Sequence, residues 1–465
     1  MFRPSLFNVE RLLRPFWKAN PRKPKLPSVK KQLVRGYQNF VMNDTLAQLE
    51  RECERYCPVP RFPLQKVTVV GAGSDVGRIA CLFLKQQKVV KCLAMYDEYP
   101  QSGVLGVAND IAHIDTSCRV VAFQGRMYLK DALHEADVVL ICGGAYLPPP
   151  HCFTMDRDLF FQNMQHVRTA TIAIAQFCPH AIVAVQTPPV DCNFALCAHT
   201  LKLAKVYDKR RVLGVNSVNA MRANQLFSTK MGTCDPATCN IPVVCGCGRC
   251  TRVPVFSVGK SDKCCAGPDQ SICNCLSRLV READDLICRV KSNNEQGHLS
   301  IGFSTARFVI NLMKGLFEST AFIDSALVEQ GNPEQCYGMK YCATPVKVGK
   351  GGVVEYEIPT LNAAEKELLE QSKCDLEDML NLGKCFALGD EYYLHPCKCY
   401  PAWWCYKDCE VCKPCEKCDL KDMLHLGKCF ALGDEYSMHP CKTLPYCFKS
   451  CKVCQPCERR ARIKG

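Results

Sequence analysis

Short apolar runs separated by helically patterned stretches dominate the chain from residue 63 to about 370. KVTVV (66–70), CLAMYD (92–97), DVVLICGG (137–144), AIVAVQTP (181–188) and RVLGVN (211–216) are brief and nearly unbroken in their hydrophobicity. Strands read this way when both faces of a parallel sheet are covered by helices, because no face meets water. ATIAIAQFC (170–178) and NFALCAHTLKLAK (193–205) supply helical patterns between them. The alternation predicts an α/β class with a parallel sheet. From Pro242 to Val258 the pattern predicts a second region richer in antiparallel strands, followed by long helices over Ser271–Val290 and Ser300–Leu316.

The most specific local signal is the stretch from Lys66 to Asp97, a strand, a glycine turn, an apolar-periodic helix and a second strand. Gly71, Gly73 and Gly77 would let the backbone approach a pyrophosphate held at the helix N-terminus. Asp97, 20 residues after Gly77, is placed to accept hydrogen bonds from an adenosine ribose. NAD is therefore the candidate cofactor. The spacing is G-x-G-x-x-x-G, and Asp75 puts a carboxylate where phosphates would lie. A tight turn with no ligand is the competing reading, since a helix N-terminus favours an aspartate by itself.

A chain of 465 residues with 48% hydrophobic content has room for two or three domains. No run of 18 apolar residues occurs, so no membrane span is expected. The net charge of +13 is concentrated at the start: residues 1–43 hold ten Lys/Arg and one acid, Glu10. The remainder is near balance, and no nucleic-acid surface on the body is implied. Phe2, Leu6, Val9, Leu13 and Trp17 recur at roughly helical spacing among arginines. That composition fits a mitochondrial presequence, with a basic docking arm as the alternative. Pro15, Pro21, Pro24 and Pro27 interrupt any helix, and one further helix is expected over Thr45–Tyr56.

Thirty-seven cysteines are present, fifteen of them between Cys374 and Cys457. No secretory signal pattern is seen, so a secreted disulfide scaffold is not expected. CDLEDMLNLGKCFALGDEYYLHPC (374–397) recurs as CDLKDMLHLGKCFALGDEYSMHPC (418–441). CYKDCEVCKPC (405–415) recurs as CFKSCKVCQPC (447–457). The expected layout is a cysteine-rich tail over 372–465 with repeats at 374–415 and 418–457, joined to the body near Gln371. Asp375 and Asp419 are expected as helix N-caps, and Gly383 and Gly427 as stops. Units this small need staples. Cys409, Cys412, Cys415 and Cys418 suit tetrahedral zinc, while disulfide or intermolecular cross-linking fits the same spacing. A smaller cluster, Cys245, Cys247 and Cys250, is open to a metal or to small buried thiols.

Several segments in order resemble mitochondrial-type malate dehydrogenases: the glycine turn, MYD, NDIAHIDT (109–116), DVVLICGGA (137–145), VLGVNSVNAMRAN (212–224), NIPVVCGC (240–247), HLSIGFSTARFV (298–309) and ATPVKVGKGGV (343–353). The resemblance covers about 64–370. It implies a Rossmann domain over 63–210, an α+β catalytic-type domain over 211–371, after a basic extension over 1–62, and a homodimer. It also implies an imidazole that takes the hydroxyl proton of malate, an aspartate that orients it, and arginines that hold two carboxylates.

By position, the family histidine falls on Cys247 and its aspartate on Asn219. The first loop arginine falls on Leu147, and the second on Met155 or, with a one-residue slip, Arg157. The asparagine that orients nicotinamide falls on Pro188, and only Arg222 is plainly retained. The loop from Tyr146 to Met155 is about three residues longer by that alignment and carries Pro148-Pro149-Pro150, which stiffens it. The loss of a general-base partner commonly costs on the order of 10⁴ in rate. The expectation is a catalytically impaired member of the family with a structural or assembly role; an active NAD-dependent enzyme and a metal- or redox-active tail are the alternatives. The elements CKPC (412–415) and CQPC (454–457) are similar in composition to cysteine-rich structural proteins of insect sperm tails, which makes a cytoskeletal or sperm-tail setting the alternative to mitochondria.

Overall fold

A computed structural model describes residues 65–146, 156–232, 235–259, 268–292 and 296–388. The first half forms six parallel strands: β1 (Lys66–Val70), β2 (Cys92–Asp97), β3 (Arg119–Gln124), β4 (Val138–Ile141), β5 (Ile182–Val185) and β6 (Val212–Val215). They lie in the order β3-β2-β1-β4-β5-β6. β1, β4, β5 and β6 are buried along their whole lengths, which is why they read as continuous apolar runs. β3 lies at the sheet edge and mixes buried with exposed positions. Its weaker pattern hid it from the sequence reading.

Crossover helices cover the faces: α1 (Asp75–Lys85), α2 (Val104–Ala112), the short α3 (Leu129–Leu133), α4 (Asp156–Phe177) and α5 (Val190–Leu203). The chain order reverses between β1 and β4, the switch point where doubly wound sheets bind ligands. Gly71 turns there with φ +90°, and a Cβ on it would overlap the Gly143 backbone. Only glycine combines that dihedral with so close an approach.

The sheet does not stop at β6. β9 (Ala321–Glu329) pairs antiparallel with it, matching Gly214 to Leu327 and Val215 to Ala326. β10 (Tyr341–Gly349), β11 (Gly352–Tyr356), β7 (Val243–Cys245) and β8 (Arg252–Pro254) extend it to eleven strands. α6 (Ser217–Met231), α7 (Gln270–Val290) and α8 (His298–Phe317) pack on this half, and α8 returns to α1 with Gly302 against Ile79. The antiparallel region and the two long helices lie where the pattern placed them.

The last described helix corrects the sequence reading. α9 (Ala363–Leu388) runs unbroken through Gln371, so no joint lies there. Asp375 is an exposed interior residue of that helix, and Gly383 is also interior. A Cβ on Gly383 would overlap the Cys192 carbonyl oxygen of α5. The glycine permits close helix packing; it does not end the helix. Within residues 374–387, Leu376, Leu382 and Ala387 are buried against the body, so this stretch needs no staple of its own. The second repeat, the four candidate zinc cysteines, the Thr45–Tyr56 helix and the proline-bearing loop lie outside the described residues.

Candidate functional site

β7 ends in Cys245, and the following turn brings Cys247 to the mouth of the sheet beside α5 and α6. The turn is held by one carboxylate. Asp191, 2% exposed in the first turn of α5, accepts from the backbone N–H of Cys247 at 2.8 Å, from that of Gly248 at 3.1 Å and from the Thr251 hydroxyl at 2.6 Å. Burial, reinforced by the Asp191 carboxylate, pushes the Cys247 thiol well above its ordinary range. The sulfur keeps its proton and is a poor base at neutral pH.

Asn219 does not orient that thiol. Its amide donates to Asn216 Oδ1 at 2.6 Å and to the Cys247 carbonyl at 3.0 Å. Its oxygen accepts from Arg252 and from Arg222, the latter at 3.4 Å. An uncharged amide can satisfy these neighbours, but it cannot neutralise a cation forming at position 247.

Arg222 carries the retained guanidinium, and that group is already engaged. Asp284 of α7 lies 2.7 Å from the Arg222 guanidinium and 2.6 Å from that of Arg252, which is only 2% exposed. Burial alone would raise the Asp284 pKa, but the two arginines override it and hold the carboxyl well below the usual range. A bidentate-capable guanidinium is what the site would offer to a substrate carboxylate. Here a side-chain carboxylate of the same chain takes it.

Arg157 sits in the first turn of α4, near Cys192. The residue of that turn that lies close to the Cys247 turn is Asp156, whose carboxylate would stand 3.6 Å from a Cβ on Gly248. Burial, then the neighbouring Asp191 charge, pushes the Asp156 carboxyl up to about 6. Asp156, Asp191, Arg252 and Asp284 were all missed by the sequence reading. Their partners lie tens of residues away, and no periodicity links them.

On the other side of the switch point, Gly73 N–H donates to Asp97 at 3.1 Å and Tyr99 N–H donates at 3.2 Å. Burial raises the Asp97 pKa, while those two N–H groups oppose it. Ser74 caps α1, accepting from Gly77 N–H at 3.1 Å. A groove of about 400 Å³ opens here between Gly73, Ser74, Arg78, Ser102, Tyr146 and His298. Of the residues expected to hold a cofactor, Gly73 lines this groove, and Asp97 accepts from its N–H.

Residues 65–214 match the profile described as lactate/malate dehydrogenase, NAD binding domain, and residues 217–387 match the alpha/beta C-terminal domain of the same family. The chain belongs to the lactate/malate dehydrogenase family. It is 32% identical over 324 residues to the malate dehydrogenase of Erwinia tasmaniensis, spanning 69% of this chain and 99% of that one. It is 30% identical over 324 residues to the human mitochondrial malate dehydrogenase, covering 69% of this chain and 91% of the relative. In fold it is similar to the malate dehydrogenase of Picrophilus torridus, with a TM-score of 0.60 at 17% identity over 70% of this chain and 99% of that chain. The lactate dehydrogenase of Cryptosporidium parvum, solved with lactic acid and NAD, gives a TM-score of 0.57 at 18% identity over 68% and 97% of the two chains.

The match to an NAD binding domain supports a dinucleotide for this dehydrogenase-family chain, and the Asp97 carboxylate behind Gly73 keeps lone pairs beyond those used by backbone N–H groups. The phosphate position is less accommodating. Asp75 stands at the helix N-terminus, with His298 3.4 Å from its carboxylate and Arg78 in the next turn. His166 packs on Gly143, and burial holds its imidazole below the usual range. At the position that the resemblance aligns with a nicotinamide-orienting asparagine, Pro188 precedes Pro189 through a cis bond and offers only its carbonyl, which already accepts from Asn163 at 2.6 Å and from Asn193 at 3.1 Å. Among the described residues no group of three His, Cys, Asp or Glu is arranged to hold a metal.

Proposed function

We propose that this chain is a malate-dehydrogenase-type body that retains dinucleotide affinity but has lost efficient malate turnover, and that it serves a structural or assembly role. The observation that carries the reading is the pairing of Arg222 with Asp284 beside a protonated Cys247 thiol. Proton abstraction needs a group whose pKa lies near the working pH, and carboxylate capture needs a free guanidinium. Residues 1–43 would direct the chain to mitochondria, the address carried in the names of several relatives. The body would form a homodimer, as the family resemblance implies, and the tail cysteines beyond 388 would supply cross-links or bind zinc.

The deciding experiment measures NADH binding by fluorescence and malate oxidation by absorbance on one preparation. Binding with turnover at least 10⁴-fold below a family enzyme is expected. Turnover near that of a family enzyme would overturn the reading and favour an active dehydrogenase. Metal analysis and non-reducing electrophoresis of the same protein report on the tail.

A further inference from the structure

The second half of α9 packs on the body, and its sequence recurs once further along the chain. In residues 374–388, Leu376 and Leu382 are each 1% exposed against the body. Met379 Sδ lies 3.3 Å from Cys192 Sγ, and the Phe386 ring stands edge-on to Phe160 and Phe161, with centroids 5.2 and 5.6 Å away. Gly383 meets the Cys192 carbonyl with no room for a side chain. Residues 418–432 repeat these fifteen residues with two changes, Glu377 to Lys421 and Asn381 to His425. Both changed positions are exposed in the first copy. The body-facing residues Leu376, Met379, Leu382, Gly383 and Phe386 recur as Leu420, Met423, Leu426, Gly427 and Phe430.

We propose that residues 418–432 are a second occupant of the groove formed by α4 and α5, competing with residues 374–388 of the same chain for a single seat. Helical spacing fixes which side chains share a face, so a helix over residues 418–432 would present the same apolar face as residues 374–388. The first copy has the advantage of continuity with residues 363–373, anchored by buried Leu369 and Ser372. The second copy follows after the 29 residues 389–417. Twenty-nine residues can extend over at most about 100 Å, enough to reach the same groove, and a covalent tether of that reach acts at an effective concentration on the order of millimolar. A copy from another molecule would need a comparable concentration to compete. One groove and two ligands per chain leave one apolar face unseated in either state.

The test uses the full chain. Gly383→Leu drives a side chain into the Cys192 carbonyl and expels the first copy; Gly427→Leu disables the second. Gly427→Leu alone should leave Tm within about 1 °C, and the double variant should lower it by several degrees. Gly383→Leu alone should lower it by less than half as much as the double, because the second copy takes the seat. In the Gly383→Leu background, photoreactive benzoylphenylalanine at position 430 should cross-link to the α4 peptide containing Phe160 and Phe161 of its own chain. The proposal is overturned if Gly383→Leu costs as much as the double, if no such cross-link forms, or if the link joins chains of different isotopic label.

Discussion

The Asp284 carboxylate lies 2.7 Å from the guanidinium of Arg222, the residue that the family resemblance expects to hold a substrate acid. The contact is intramolecular and always available, so any competing carboxylate must displace a partner whose effective concentration is set by the fold. Arg252, on the opposite side of the same carboxylate, makes the displacement harder still.

Substituting Asp284→Ala strands two guanidiniums, one of them on the almost fully buried Arg252. Breaking one side of a buried ion pair costs about 3–5 kcal/mol, and urea titration should show a loss of that order. Asp284→Ala with Arg252→Leu should recover most of it, because apolar replacement of a buried pair is often neutral. A double variant as unstable as the single would mean that the cost lies in lost packing.

Restoring Cys247→His with Asn219→Asp should leave malate turnover at least about 10²-fold below a family enzyme, since misplacing a bound substrate by an ångström already costs that much. Adding Asp284→Ala and Arg252→Ile frees Arg222 and should raise kcat/KM above that of the double variant. Equal values for the double and quadruple variants, by steady-state assay, would clear Asp284 of blocking the site.

Asp156 makes stability depend on pH in a definite direction. Its carboxyl is raised to about 6 in the fold, against ~3.9 when unfolded. The folded state therefore holds this proton more tightly, and the group's contribution to stability falls as pH rises from about 4 through 6. Asp156→Asn should stabilise the chain by about 2–3 kcal/mol at pH 7.5 and by almost nothing at pH 4. Denaturant midpoints at the two pH values check both sign and window.

Ending the chain after Gln371 removes Leu382 from the cluster around α5 and Leu376 from the cluster around β7 and β8, each worth roughly 1.5–3 kcal/mol when buried. That truncation should lower Tm and expose dye-binding apolar surface. A chain ending after Leu388 should melt close to the full-length protein. Equal melting of the two truncations would show that the packing of residues 372–388 contributes little.

The glycine turn, Asp97 and the run of strands were legible because each depends on neighbours in sequence: dihedral freedom, a helix start, a buried strand. Arg222 was found at its family position, but its engagement was not legible, because Asp284 lies 62 residues further on and no local rule joins them. The same applies to Asp191, whose three partners lie between Cys247 and Thr251. Gly383 misled for a physical reason. In isolation a glycine near a helix end reads as a stop, whereas here the missing Cβ lets α9 lie against α5. Arg157 was the expected anion ligand, yet the start of α4 turns its neighbour Asp156 toward the Cys247 turn.

Twelve of the 18 cysteines among the described residues are buried, and burial pushes thiols such as Cys81, Cys192 and Cys342 well up. Only the thiolate reacts readily. An alkylating reagent would therefore label first Cys250, Cys275 and Cys374, which are exposed, and wait on the twelve buried ones until the backbone around them opens. The sulfurs inside the body act as a clock for unfolding: each residue modified marks an excursion from the native state, and the order of labelling ranks the regions by how often they breathe.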